Sequence, residues 1–433
     1  MSEERKGPPL KCWPYLKDTN NAYNKNIVRA ITEGKPVVFT TGSLPLQLIE
    51  AFDAIPIAGE WYGSICGHVR ATDLLETAEG SGFSQDLCSY ARMTIGSMIK
   101  DKSFLGGYPK STAVIGMEGT CNIQAKWFEI LARYHNLPYF LIDTPFMDIN
   151  NYPNWGEEAL KDCVDYLVKQ LGNYIDFMEW ALSQKLDEEK MITACVNQHN
   201  NEVLWDRVMQ LWRRVPSPIT IRNLFTFENL IVSLPCQKAA GDVLEVLIEE
   251  LHERIEKGIT GIVDEKYRLV WNAQPGWYTL GAFKYIEAQG ATFVASPYLE
   301  IWGAEEKFSG SRAQTPEWFR VYREPASLDE CLFLIARETI ARHPRSRLKA
   351  QIETLTRLAR ESKADGVMWH AVRACKGVSY GQLAEKEVAR DELGIPSLVF
   401  EGSPADPRHF NEGQVMSQIM IFMEQIKESK IKN

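Results

Sequence analysis

The stretch Gly116–Phe146, GMEGTCNIQAKWFEILARYHNLPYFLIDTPF, reads as the end of a strand, a cysteine at its mouth, a helix, and, after Leu137-Pro138, another apolar strand. It has a counterpart in Trp369–Pro404, WHAVRACKGVSYGQLAEKEVARDELGIPSLVFEGSP, where the strand ends near Cys375 and Ile395-Pro396 leads into the second strand. The segments that precede them match as well. Val37–Thr41 reads as a strand, Ser43–Pro45 as a turn and Leu46–Asp53 as a helix. Much later Tyr267–Trp271 reads as a strand, Gln274–Gly276 as a break, Thr279–Gln289 as a helix and Ala291–Ala295 as a strand. Strands alternating with amphipathic helices predict parallel sheets built from crossovers, here two of them. Between them, from about Trp155 to Lys257, stretches such as DCVDYLVKQLGNYIDFMEWAL carry apolar residues at three- and four-residue spacing and predict helices. The expected fold class is α/β, with two parallel-sheet domains (1–150 and 263–433) and a helical insert (151–262). No flexible linker interrupts the chain, so the parts are expected to pack tightly.

The 433 residues are 45% hydrophobic and carry a net charge of −9, the composition of a globular protein with a large core. An acidic balance without a basic patch argues against nucleic acid and anionic membranes as partners. The N-terminal MSEERKGPPLKCW lacks the apolar run of a signal peptide, and no segment has the length of a membrane span, so the expected location is the cytoplasm. There the nine cysteines are expected to be reduced, leaving burial or metal ligation as their uses.

Cys121 and Cys375 stand at strand ends, where open parallel sheets collect ligands, and Cys88 falls at a helix start after the polar run ETAEGSGFSQD. Helix N-termini stabilise a thiolate and an anionic thiolate-ligated cluster. No C-x-x-C, H-E-x-x-H, Walker A or G-x-G-x-x-G motif is present. Any ligand set would therefore be assembled from distant parts of the chain, and simple burial is the alternative for each cysteine taken singly.

The segments SQDLCSYAR, GTCNIQAKWFE, LPYFLIDTPF, EKYRLVW, HAVRACKGVSYGQ and ADPRHF, in this order between about Gly34 and the C-terminus, resemble the signature segments of the 2-hydroxyacyl-CoA dehydratase and benzoyl-CoA reductase family, in particular its larger, α-type or B-type, subunit. The resemblance implies two flavodoxin-like (Rossmann-like) domains with a helical part, and a [4Fe–4S] cluster held by Cys88, Cys121 and Cys375. It implies an iron left without a protein thiolate, where an acyl-CoA thioester binds. It further implies a homologous second subunit, forming a heterodimer, and a separate ATP-dependent iron–sulfur activator that delivers one low-potential electron. In the dehydratases the resulting ketyl radical loses the hydroxyl group, whereas the reductases add electrons to an aromatic thioester. CSYAR, IDTPF and ADPRHF look closer to the dehydratases, KWFE and SYGQ closer to the reductases. A third branch carries a double-cubane cluster, for which Cys66, Cys236 and Cys331 would be candidate ligands. The segment ARHPRSR, where that branch supplies a cysteine, has none. An electron carrier or cluster scaffold without its own substrate pocket is the reading from another class, and its mark would be a cluster with a fully satisfied fourth ligand and no cavity beside it.

Glu60 follows an apolar strand and matches a glutamate of the family motif, which implies proton transfer or substrate orientation; a solvated loop acid or a helix cap is the plain alternative. Thr41 and Ser43 lie in the first strand-to-helix turn and are candidate substrate contacts or helix caps. Some dehydratases place a serine there, where this chain has Gly42. His370 is a candidate donor to substrate or a structural histidine, and Arg408 a candidate for a carboxylate or CoA phosphate or one half of an interdomain ion pair. Trp127 and Phe128 read as core.

Overall fold

Four short apolar runs in each half of the chain are covered on both faces, which is why they read as continuous rather than alternating hydrophobic sequence. In the computed structural model, which describes residues 7–119, 121–145, 147, 152–342 and 348–432, they form two sheets. Thr120, Phe146 and residues 343–347 of the segments quoted above lie outside the described residues, as does the expected boundary at 150 and 151. The first sheet holds β1 (Val37–Thr40), β2 (Ile55–Ala58), β3 (Ala113–Met117) and β4 (Tyr139–Ile142) in the order β2-β1-β3-β4. The second holds β5 (Tyr267–Asn272), β6 (Ala291–Ala295), β7 (Gly366–Val372) and β8 (Ser397–Gly402) in the order β6-β5-β7-β8. Every pairing is parallel. The fold is therefore α/β, with two Rossmann-like sheets of the same strand order.

The correspondence extends to single bonds. The helix Gln124–His135 ends on left-handed Asn136, and Val114 then donates to the carbonyl of Pro138 at 2.9 Å. In the second sheet the left-handed residue is Gly394, and Val367 donates to Pro396 at 3.1 Å. A left-handed residue ends the helix and the following proline keeps the chain extended into the next strand.

One face of each sheet shares a single core. Phe39, Ile57 and Val114 from the first and Leu269, Trp271 and Met368 from the second belong to one buried cluster. The opposite face of the first sheet, with Val38 and Ile115, is covered by the helices Tyr152–Leu182 and Leu328–Arg342. The opposite face of the second, with Val367 and Trp369, is covered by Leu355 and Leu358. The helix Glu188–Trp212 spans the two halves. Its Met191 and Cys195 pack under the first sheet, while Trp205 and Trp212 donate to the carbonyls of Leu299 and Phe293 at 2.8 and 2.9 Å. No helix among the described residues is long and apolar enough to cross a membrane.

Candidate active site

In both sheets the strand order reverses between the first and third strands, and the crevice for ligands lies beyond their carboxyl ends. Cys121 follows β3 and Cys375 follows β7, so the two thiols occupy the same topological position. Cys88 caps the helix Ser89–Lys100. All three are half-buried, as is Cys163, whereas Cys12, Cys66, Cys195, Cys236 and Cys331 are buried. The three act on one another electrostatically: Cys121 and Cys375 on Cys88, and Cys375 on Cys121. Enough protein surrounds them that burial is the largest influence on each, pushing the free thiols of Cys88 and Cys121 up to about 12 and that of Cys375 upward.

Against this, each sulfur faces the backbone N–H groups two and three residues on. They are Tyr90 and Ala91 for Cys88, Ile123 and Gln124 for Cys121, and Gly377 and Val378 for Cys375. At Cys88 and Cys375 these N–H groups fall short of a capping hydrogen bond. A triply repeated arrangement of this kind lowers the cost of a thiolate and suits a metal-bound sulfur.

The first switch point also holds Glu60. Its carboxylate accepts from the Thr41 hydroxyl at 2.8 Å, from the Gly42 N–H at 3.1 Å and from the Gln124 side-chain amide. Thr41 is fully buried, and its hydroxyl also accepts from the Ser43 N–H at 3.1 Å. Glu60 acts electrostatically on Cys121 and on Tyr90. Glu60, Tyr90, Trp61, Phe225 and Trp277 line a cavity of about 300 Å³, and Tyr298 separates it from a smaller one of about 160 Å³ bordered by Cys375. Ala273, just past β5 on that smaller cavity, has φ +88°. Its carbonyl is fixed by the Trp271 indole at 2.6 Å, the kind of backbone strain that gathers at ligand sites.

The helix Gly59–His68 carries glycine at 59, 63 and 67, one above another on a single face. A Cβ at Gly63 would stand 2.8 Å from the Tyr90 Cα, and one at Gly67 2.8 Å from the Ala405 Cα. The absence of side chains lets the helix Ser89–Lys100 and the loop after β8 close on it. The Ser89 hydroxyl then shares 2.8 Å with Ser403 and accepts from the Ala405 N–H at 3.0 Å.

The other residues singled out from the sequence are placed as follows. His370 is buried, stacked on Phe400, and shares 2.7 Å through Nδ1 with the Gln274 carbonyl; burial lowers it to about 4, so it is neutral at pH 7. Gln274 in turn reaches the Cys375 thiol through its side chain. Arg408 is bidentate to Asp406 and pairs with Glu79, and Arg92 joins the same two acids, so the ion-pair reading is the one realised, as a four-membered ring between the halves. Trp127 and Phe128 are core residues. Cys66 lies in the core shared by the sheets, and Cys236 and Cys331 in the other core. Reading the sequence missed Gln124, Tyr90 and Gln274; Gln124 stands three residues after Cys121 and Tyr90 two after Cys88, so proximity to a candidate ligand is the signal that could have found those two.

His199, Glu202 and Glu338 place potential ligand atoms within 4.8 Å of one another. The positive charge there is already supplied by Lys307, which binds both carboxylates (2.7 Å to Glu338), and by Arg342. This is a buried ion-pair network rather than a vacancy for a cation.

Comparison with known proteins shows the family. The family model described as 2-hydroxyglutaryl-CoA dehydratase, D-component, matches residues 42–426. The (R)-2-hydroxyisocaproyl-CoA dehydratase alpha subunit of Clostridioides difficile is 27% identical over 94% of this chain and 93% of its own length. The (R)-2-hydroxyglutaryl-CoA dehydratase alpha subunit of Acidaminococcus fermentans is 28% identical over 73% of this chain and 60% of its own. The B-type subunit of benzoyl-CoA reductase from Thauera aromatica is 24% identical over 92% and 90%.

Proposed function

Because the chain belongs to the 2-hydroxyglutaryl-CoA dehydratase D-component family, we propose that it is the iron–sulfur catalytic subunit of an (R)-2-hydroxyacyl-CoA dehydratase. It would act in the cytoplasm beside a homologous second subunit and an ATP-dependent activator. The observation that carries this reading is a cavity of about 300 Å³ bordered by Glu60, which acts electrostatically on Cys121, and by Tyr90, on which Cys88 acts. An electron carrier has no use for such a space.

The residues fit a [4Fe–4S] cluster. Cys88, Cys121 and Cys375 would hold it, and the paired N–H groups behind each sulfur would favour the thiolate. When bound, the cluster supplies an iron open to a substrate oxygen and a route for one electron into the thioester, which makes loss of water from the acyl chain feasible. Glu60 is the proton-handling group. The donors Thr41, Gly42 and Gln124 fix the orientation of its carboxylate at the cavity wall. Tyr90 takes the Trp277 indole N–H, which leaves its own hydroxyl proton for a second oxygen at the cavity wall.

An aryl-CoA reductase subunit is the second reading, favoured by the aromatic cavity wall and by the likeness to the B-type subunit of benzoyl-CoA reductase. Anaerobic co-purification with the neighbouring gene products, followed by turnover on 2-hydroxyacyl-CoA and aryl-CoA thioesters, separates them. Enoyl-CoA formation supports the dehydratase; formation of dienoyl-CoA from an aryl-CoA, with no dehydration, replaces it by the reductase. Failure to act on any thioester removes both.

A further inference from the structure

The walls of the cavity beside the thiols restrict the acyl group, given the CoA-thioester reading above, on which this inference rests. We infer that the cavity accepts an uncharged acyl chain, branched or aromatic, and discriminates against one that ends in a carboxylate.

Three observations support this. Trp61, Phe225 and Trp277 give the cavity an aromatic wall that an apolar chain buries against. The acidic side chains on it are Glu60 and Glu228, and no Lys or Arg is among the described residues that line it. Glu228 is 4% exposed, comes from the helix Ile221–Val232 and, like Glu60, acts electrostatically on Tyr90. Finally, Asn229 donates its amide to Asn20 at 2.8 Å and leaves its Oδ1 buried without a partner, and Asn24 Oδ1 is likewise unpaired. Both amides border the cavity. Unpaired acceptor oxygens repel a carboxylate, and an ionised group moved out of water without a cation to pair with is strongly disfavoured.

His68 is the one group on the wall able to carry positive charge among the described residues. It is exposed, and its Nδ1 shares 3.4 Å with the Trp277 carbonyl at the rim. Exposed and hydrated, it is a weak partner for a carboxylate buried at the aromatic wall.

The test is calorimetric binding to the anaerobically purified full-length chain, using unreactive thioesters without a 2-hydroxyl group: 4-methylpentanoyl-CoA, 3-phenylpropanoyl-CoA, glutaryl-CoA, and CoA itself. The two uncharged thioesters should bind at least tenfold more tightly than glutaryl-CoA. Thr226 is exposed and borders the cavity. Thr226→Lys should therefore raise glutaryl-CoA affinity several-fold and leave the uncharged thioesters within twofold. Glutaryl-CoA binding as tightly as the uncharged thioesters in the wild type overturns the inference and leaves the CoA-thioester function standing. Acyl-CoA thioesters binding no more tightly than CoA overturn both. Discrimination that ignores Thr226→Lys refutes this cavity as its seat.

Discussion

A carboxylate that accepts from a hydroxyl, a backbone N–H and a side-chain amide at once has one orientation available, and Glu60 is in that position. Glu60→Gln keeps the shape but brings an NH2 group against donors. Turnover should fall by about 10²–10⁴-fold, the usual share of a general acid or base, while the iron content stays unchanged. Wild-type turnover in this variant excludes Glu60 from proton transfer. The cysteines give a sharper contrast. Single Ala replacements of Cys88, Cys121 or Cys375 should each abolish the visible absorption and the bound iron and sulfide of anaerobically prepared protein. Cys66→Ala, a change in the shared core, should keep them. Equal iron in the Cys66 and Cys121 variants refutes the ligand set.

At the scale of single elements, the glycine face of Gly59–His68 sets how near the first sheet's site comes to the helix capped by Cys88. Gly63→Ala would force a methyl group to within 2.7 Å of the Tyr90 ring and 2.8 Å of its backbone. Overpacking of this kind costs about 1–3 kcal/mol. Iron content should fall along with the urea midpoint, and a variant with full iron and unchanged midpoint shows that the contact is not required. Much of the element pattern was legible in the sequence, because strand, cysteine, helix and X-Pro recur in two copies and the strands are uniformly apolar. Ala291–Ala295 falls where it was expected, while Val37–Thr41 ends one residue earlier, at Thr40, and Tyr267–Trp271 one later, at Asn272. The expected helix Thr279–Gln289 is a 3-10 turn, Trp277–Ala282, running into the short helix Phe283–Glu287. Gln124 and Gln274 were not legible as site residues, because what makes them so is their distance to groups far away in the chain.

Across the whole molecule, the ring of Arg92, Glu79, Arg408 and Asp406 fastens one half to the other. Burial by itself would raise Asp406, but the Arg408 and Arg92 guanidinium groups outweigh it and bring it down to about 2. A carboxyl lowered on folding stabilises the protein above its unfolded value near pH 4, and that contribution disappears as pH falls through about 2. Solvent reaches Arg408, whose side chain is 33% exposed, so the loss should be about 1–2 kcal/mol. Urea midpoints measured at pH 7 and pH 3 should therefore differ less in Arg408→Met than in the wild type. An identical difference in the two proteins removes the ring from the acid response. The covering of the first sheet has an effect of another kind, on the order of events during synthesis. Its outer face is closed by Leu328–Arg342, so β1 and β3 leave the ribosome with Val38 and Ile115 still lacking part of their cover. At roughly 5–20 residues per second the wait is on the order of tens of seconds. Cys121 emerges long before Cys375, and a nascent chain stalled at residue 300 should be cut readily by protease within the first sheet, whereas the released protein resists. With the proposed ligand set, a cluster would be completed only after Cys375 has emerged, so whatever brings the metal would meet a finished cleft rather than a growing chain.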